Sequence, residues 1–319
     1  MITNEAIKLE NGVEVPKLGL GVWMIPEEET EAAVKSAIAM GYRHIDTAQA
    51  YKNEAGVGAA VRNCGVPREE LFVTSKIAAK NKSYESAMES IDESLSVMGL
   101  DYIDMMIIHS PQPWVEVNQS ENRYFEENIQ VWKALEDAYK AGKVKAIGLS
   151  NFLKVDIENI LASCEVKPMV NQILSHITNT PFELIDYCKS VGIEIEAYSP
   201  IAHGLALQNE KIAKIAKKYG VSIPQLCIRY DWQLGMIVLP KTANPDHQKE
   251  NMAIDFVISD EDMNTLKNME RIENYGVFVE LWSGCEGLLH ISKIANETIE
   301  KVESVLKIGD QVIVKCIDI

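Results

Sequence analysis

The chain has 319 residues, 47% hydrophobic and 24% charged, enough for one large globular domain plus a small module. A formal charge of −16 repels nucleic acid and anionic membranes at long range, so an anionic ligand has to be held by local cations. No apolar run approaches the roughly 18 residues that cross a bilayer, which excludes a helical membrane protein. Met1-Ile2-Thr3-Asn4-Glu5 shows no basic region followed by an apolar stretch. The six cysteines (Cys64, Cys164, Cys188, Cys227, Cys285 and Cys316) are scattered without a C-x-x-C pair. Free thiols in a reducing, cytoplasmic compartment are therefore expected, with no metal site.

In chain order, residues 8–15 alternate around Asn11-Gly12, the strongest short hairpin signal. Buried-strand patterns follow near 18–21, 43–46, 72–76, 103–109, 146–149, 170–173, 194–198 and 237–240. Helical patterns lie between them, among them 27–40, 84–98, 126–141 and 181–190, and glycines at Gly41, Gly142 and Gly192 mark left-handed helix ends. Eight strands in a regular strand–helix rhythm predict an α/β fold, a (β/α)8 TIM barrel carrying an N-terminal β-hairpin. A doubly wound sheet is disfavoured, because Gly19-Leu20-Gly21-Val22-Trp23 holds only the first half of a G-x-G-x-x-G turn. After the helix at 260–269 the rhythm changes to strand–strand, so a barrel over 1–270 and a small β unit over 271–319 are expected.

Four polar side chains fall at or just past the ends of three successive barrel strands: Asp46 with Tyr51, Lys76 and His109. In a parallel barrel these ends share one mouth, where catalytic groups gather. Reduction of a carbonyl leaves an alkoxide that needs a proton, and a free phenol titrating near ~10 is a weak donor at neutral pH. An ammonium beside the phenol stabilises phenolate and lowers that value. Tyr51 is thus the expected general acid, Lys76 its tuner, Asp46 the group that orients Lys76, and His109 a donor to the carbonyl oxygen. Singly, each residue has an ordinary structural reading; at this spacing together they point to catalysis.

Several motifs, in this order, resemble the aldo-keto reductases from about residue 5 to about residue 268. They are Asp46-Thr47-Ala48-Gln49-Ala50-Tyr51-Lys52-Asn53-Glu54, Val73-Thr74-Ser75-Lys76, Ile107-Ile108-His109-Ser110-Pro111 and Gly148-Leu149-Ser150-Asn151-Phe152. Asn171-Gln172, Ala197-Tyr198-Ser199-Pro200 and Leu239-Pro240-Lys241-Thr242 complete the set. The resemblance implies NADPH-dependent reduction of small aldehydes, dicarbonyls or keto-sugars, with NADH a weaker cofactor. It implies that Ser150, Asn151 and Gln172 hold the nicotinamide amide, that Tyr198, followed by Ser199, stacks on its ring, and that Lys241 and Thr242 bind the 2′-phosphate. Glu250 and Asn251 would lie near the adenine. His247 departs from the pattern, since many relatives carry an arginine there, and weaker NADPH discrimination follows. Ser110 stands where many relatives have tryptophan; Trp114 is expected to refill that wall and Trp23 to line the opposite one.

The segment from Arg271 resembles the S-one type OB-fold RNA-binding domain found at the end of polynucleotide phosphorylase, through Tyr275-Gly276-Val277-Phe278-Val279-Glu280-Leu281, Gly287-Leu288-Leu289-His290-Ile291 and Val302 to Asp310. In that family Tyr275, Phe278 and His290 would form the base-stacking face. The unit is expected to be incomplete, lacking a fifth strand, and to replace the loop that closes over the substrate in other reductases. It carries five Lys/Arg against eight Asp/Glu, little attraction for phosphate. A protein that senses the cofactor or binds RNA through this unit is the alternative to an enzyme. The oligomeric state is not legible.

Overall fold

The computed structural model describes residues 5–117, 120–269 and, as backbone, 276–282 and 285–290. The chain divides into two units, Met1–Lys267 and Asn268–Ile319. The first begins with a hairpin of β1 (Ala6–Lys8) and β2 (Glu14–Pro16), in which Lys8 faces Glu14. Asn11 accepts the Val13 N–H at 3.1 Å, and Gly12, at φ +87°, takes the left-handed turn that a side chain would resist.

Eight strands then form one parallel sheet in sequence order: β3 (Gly19–Gly21), β4 (His44–Asp46), β5 (Phe72–Ile77), β6 (Ile103–Ile108), β7 (Val144–Ser150), β8 (Val170–Leu174), β9 (Glu194–Tyr198) and β10 (Ile237–Leu239). Parallel bridges Leu18–Val238 and Gly21–Lys241 join the last strand to the first and close the barrel. The helices outside it are α1 (Glu27–Met40), α2 (Glu54–Asn63), α3 (Tyr84–Met98), α4 (Phe125–Lys140), α5 (Lys154–Leu161), α6 (Phe182–Ser190), α7 (Glu210–Tyr219), α8 (Ile223–Gln233), α9 (Pro245–Met252) and α10 (Asp260–Lys267). Strands covered by helices on one face and by the barrel interior on the other are buried throughout, as all of β5 and β6 are. The sequence puts Gly41, Gly142 and Gly192 at helix ends, and all three have positive φ. Among the described residues no helix is long and apolar enough to cross a membrane.

Two strand ends matter for the mouth. Residue 109 was expected inside the fourth strand, but β6 stops at Ile108, so His109 is the first residue of the following loop. Likewise β10 stops at Leu239, leaving Pro240 and Lys241 to turn toward α9. In the second unit β11 (Gly276–Trp282) and β12 (Cys285–His290) form an antiparallel hairpin with Gly276 opposite His290. Tyr275 and the Val302 to Asp310 segment lie outside the described residues, as do the side chains of Phe278 and His290.

Gly148 shows how tightly β7 and β8 meet just before the site residues. A Cβ there would lie 2.8 Å from the Val170 carbonyl oxygen, on backbone that cannot swing aside. Gly148→Ala is expected to lower unfolding free energy by about 1–3 kcal/mol, read from the denaturant midpoint.

Candidate active site

Lys76 lies on β5 with no exposed surface, its ammonium aimed at the end of β4. Nζ donates to Asp46 Oδ1 at 2.6 Å, to the Thr47 carbonyl at 2.8 Å and to the Tyr51 hydroxyl at 3.4 Å. Burial works against the charge, but Asp46 and Tyr51 together outweigh it and hold the ammonium above its ordinary pKa.

Tyr51 ends a short 3₁₀ turn, Gln49–Tyr51, which is tied down by the Gln49 side chain. That amide donates to the Ser90 carbonyl at 2.9 Å and Ser94 Oγ at 3.0 Å, and accepts the Ala78 N–H at 2.8 Å. Asn53, fully buried, anchors the other side: it accepts Thr47 Oγ1–H at 2.8 Å and donates to the Val22 and Ile25 carbonyls at 2.9 and 3.0 Å. These two carbonyls flank Trp23, so the loop bearing the phenol and the loop bearing the tryptophan are joined by one side chain. Burial pushes the Tyr51 hydroxyl above its ordinary pKa, more than Lys76 pulls it down. This corrects the expectation from sequence: the ammonium moderates the rise, and the phenol stays protonated at neutral pH.

His109 meets the Tyr51 ring edge-on at 5.6 Å and the Trp114 ring edge-on at 4.9 Å. Burial, with Lys76 second, holds its pKa well below the usual histidine range, so the imidazole is neutral. Its Nδ1 is buried without a hydrogen-bond partner among the described residues. Trp23 and Trp114 are each about half exposed, and His203 packs edge-on against Trp23 at 5.5 Å. Ser110 is buried, its Oγ accepting the Gln112 N–H at 3.4 Å.

The far side of the mouth is built from amides and hydroxyls. Asn151, in the left-handed region at φ +62°, donates to the His109 carbonyl and to Ser150 Oγ, both at 3.0 Å. Tyr198 donates to Asn151 Oδ1 at 2.8 Å, and burial pushes its hydroxyl up to about 12. Ser150 Oγ donates to the Gln172 carbonyl at 3.0 Å, and Ser199 follows at φ +53°. Past β10, Lys241 is exposed and Thr242 buried, with Thr242 Oγ1 accepting the Asn244 N–H at 3.0 Å. Asn244 caps α9 by accepting the Asp246 N–H at 2.8 Å. On that helix His247 is exposed, Glu250 half-buried and Asn251 buried. A hydroxyl and two amides suit a carboxamide, and a lysine beside a helix start suits a phosphate, so the donor set fits a nicotinamide dinucleotide.

One buried acid at this site was missed from sequence. Glu196 sits in β9, and Gln172 Nε2 donates both to it, at 2.9 Å, and to Asp46 Oδ2, at 2.8 Å. Burial, with Asp46 second, pushes Glu196 up to about 8, so it is largely neutral at pH 7. Its signal was an acidic residue two before Tyr198, on the same inward face of a strand. Among the described residues no group of three or more histidines, cysteines or acids could hold a metal.

A closed parallel barrel with a buried lysine–carboxylate pair under a tyrosine defines a class of oxidoreductase, and the comparisons give its family. Residues 17–271 match the model of the aldo/keto reductase family and residues 270–319 that of the S1 RNA binding domain, which is an OB fold. The chain belongs to the aldo/keto reductase family, whose members use nicotinamide cofactors, and carries an S1 domain after the barrel. The glyoxal reductase of Bacillus subtilis is 42% identical over 274 residues, 85% of this chain and 95% of the relative. The NADP(+) glycerol 2-dehydrogenase of Saccharomyces cerevisiae is 36% identical, covering 84% of this chain and 92% of its own. A solved aldo-keto reductase from a deep-sea metagenome library is 38% identical, with a TM-score of 0.76 over 82% of this chain and 93% of its own.

Removing the carboxylate leaves the Lys76 ammonium buried and unpaired. Asp46→Asn is therefore expected to cost about 3–5 kcal/mol of stability in urea unfolding, well beyond a surface Asp→Asn control.

Proposed function

We propose that this protein reduces aldehydes or ketones to alcohols with NADPH, using Tyr51 as the general acid. The reading is carried by the hydrogen-bonded Tyr51–Lys76–Asp46 relay beside a neutral imidazole. A bound nicotinamide supplies the hydride. The residues of the chain do the rest. Tyr51 gives its proton to the carbonyl oxygen as charge develops there, and the Lys76 ammonium, 3.4 Å away, stabilises the phenolate left behind. Asp46 keeps the ammonium charged and fixed in place. His109, neutral, can donate one N–H to the same oxygen without competing for the proton. Ser150, Asn151 and Gln172 orient the carboxamide, Tyr198 backs the ring, and Lys241 with Thr242 holds the 2′-phosphate, with His247, Glu250 and Asn251 toward the adenosine. Trp23 and Trp114 line an apolar entrance suited to small neutral carbonyl compounds, including dicarbonyls. The glyoxal reductase relative supports that substrate class.

The S1 match supports a second reading, RNA binding through residues 270–319. With five Lys/Arg against eight Asp/Glu over 271–319, that unit supplies little phosphate attraction, and we place it second. A gel shift with single-stranded RNA at physiological salt decides it: a retarded band supports the role, a free probe ends it.

Loss of NADPH absorbance on adding methylglyoxal measures the main activity. Tyr51→Phe is expected to lower kcat/KM by about 10²–10⁴, and equal rates in the variant would overturn the mechanism. Because Tyr51 is held protonated and His109 neutral, kcat/KM should not fall between about pH 8 and about pH 6. A titration near 6.5 that His109→Gln removes would contradict the assignment of His109. His247→Arg, which supplies a guanidinium fork for the 2′-phosphate, is expected to raise the NADPH/NADH ratio of kcat/KM about tenfold.

A further inference from the structure

Gln172 stands between two carboxyl groups, which settles which end of its amide faces them. Asp46 Oδ2 at 2.8 Å and Glu196 Oε2 at 2.9 Å both contact Nε2. Asp46, paired with the Lys76 ammonium, presents a carboxylate oxygen that can only accept, so the amide end facing it is the NH₂, whose second hydrogen goes to Glu196 Oε2. Turned over, the amide carbonyl oxygen would face the Asp46 carboxylate, acceptor against acceptor, and that carboxylate would lose its donor. The backbone fixes the pairing: Ser150 is the register partner of Gln172, and Gln172 is the register partner of Glu196, on neighbouring parallel strands β7, β8 and β9. Three functional side chains thus lie abreast across the barrel floor. The Gln172 amide is left with only an acceptor, Oε1, to offer a ligand.

We infer that Glu196 is a positioning residue that locks the Gln172 amide with its oxygen available to the cofactor carboxamide NH₂. The inference rests on the reading of Gln172 as a cofactor-binding residue. Glu196 touches neither cofactor nor substrate in this scheme; it acts through Gln172. It is fully buried, and its Oε1 has no hydrogen-bond partner among the described residues, so the single bond to Gln172 is what the acid is placed to make. Burial also keeps the acid neutral, so it accepts from Gln172 without adding a second full negative charge beside Asp46. An apolar residue at this position would leave one Gln172 N–H buried and unpaired and free the amide to rotate.

The test is NADPH affinity, measured by quenching of intrinsic tryptophan fluorescence on the full-length protein, with steady-state kinetics alongside. Glu196→Met, similar in volume but without an acceptor, is expected to weaken NADPH binding about tenfold. Its kcat at saturating NADPH and substrate should stay within about threefold. Glu196→Gln keeps an acceptor oxygen and should bind within about twofold of the parent. In a Gln172→Met background, Glu196→Met should add less than about twofold, because the group it holds is gone. Parental affinity in Glu196→Met, equal losses in Glu196→Gln and Glu196→Met, or full additivity with Gln172→Met would each overturn the inference. If Glu196→Met does not fold, the isosteric Glu196→Gln decides, near-parental affinity supporting the inference and a tenfold loss overturning it. A parent protein that does not bind NADPH overturns the proposed function instead.

Discussion

A lysine ammonium with no exposed surface is the constraint around which this barrel is organised. An unpaired charge in that position would cost several kcal/mol, so the residues around Lys76 are the conditions of its burial. Asp46 supplies the countercharge, Thr47 a carbonyl and Tyr51 a hydroxyl. Asp46 uses its second oxygen to accept from Gln172, and Gln172 hands its other N–H to Glu196. The chain of contacts runs from β5 through β4 to β8 and β9, so one buried charge ties together strands from both halves of the barrel. The arrangement that satisfies the lysine is also the one that places a protonated phenol beside a fixed cation.

The loops do the complementary work. Asn53 clamps the Tyr51 loop to the turn bearing Trp23, and Gln49 clamps it to Ala78, just past β5, and to α3. On the opposite side Asn151 bridges His109 to Tyr198 through its amide. A phenol and an imidazole on mobile loops would make a poor proton donor and a poor orienting group; here the Tyr51 loop is fixed by the buried Asn53 and the His109 loop by the half-buried Asn151. Pre-organisation of this kind is worth more in a water-poor pocket than in solvent.

The eight strands and the positions of Asp46, Tyr51, Lys76 and His109 were legible because short apolar runs with a polar residue at one end are a local signal. The direction of the Tyr51 shift was not. It depends on how much solvent the closed barrel removes from the phenol, a property of the whole fold, whereas the pull of Lys76 can be guessed from a pair of residues. Glu196 escaped notice for a related reason: an acid in a strand ordinarily faces solvent, and only the register of β8 and β9 shows it bonded to Gln172. His109 was placed inside a strand because its predecessors are apolar, yet hydrogen bonding stops one residue earlier and leaves it free to turn into the mouth. The segment after residue 270 was legible as a change of rhythm and as a resemblance, and its match to an S1 domain bears that out.

The central claim is that the proton donor is a phenol held neutral beside a permanently charged ammonium. The most direct measurement is an NMR titration of protein carrying isotope-labelled tyrosine, with the Tyr51 resonance assigned by Tyr51→Phe. The account predicts that this resonance does not move as pH rises through neutrality and shifts only above about pH 10. A Tyr51 resonance that titrates below about pH 8 would show a phenolate at working pH and contradict it.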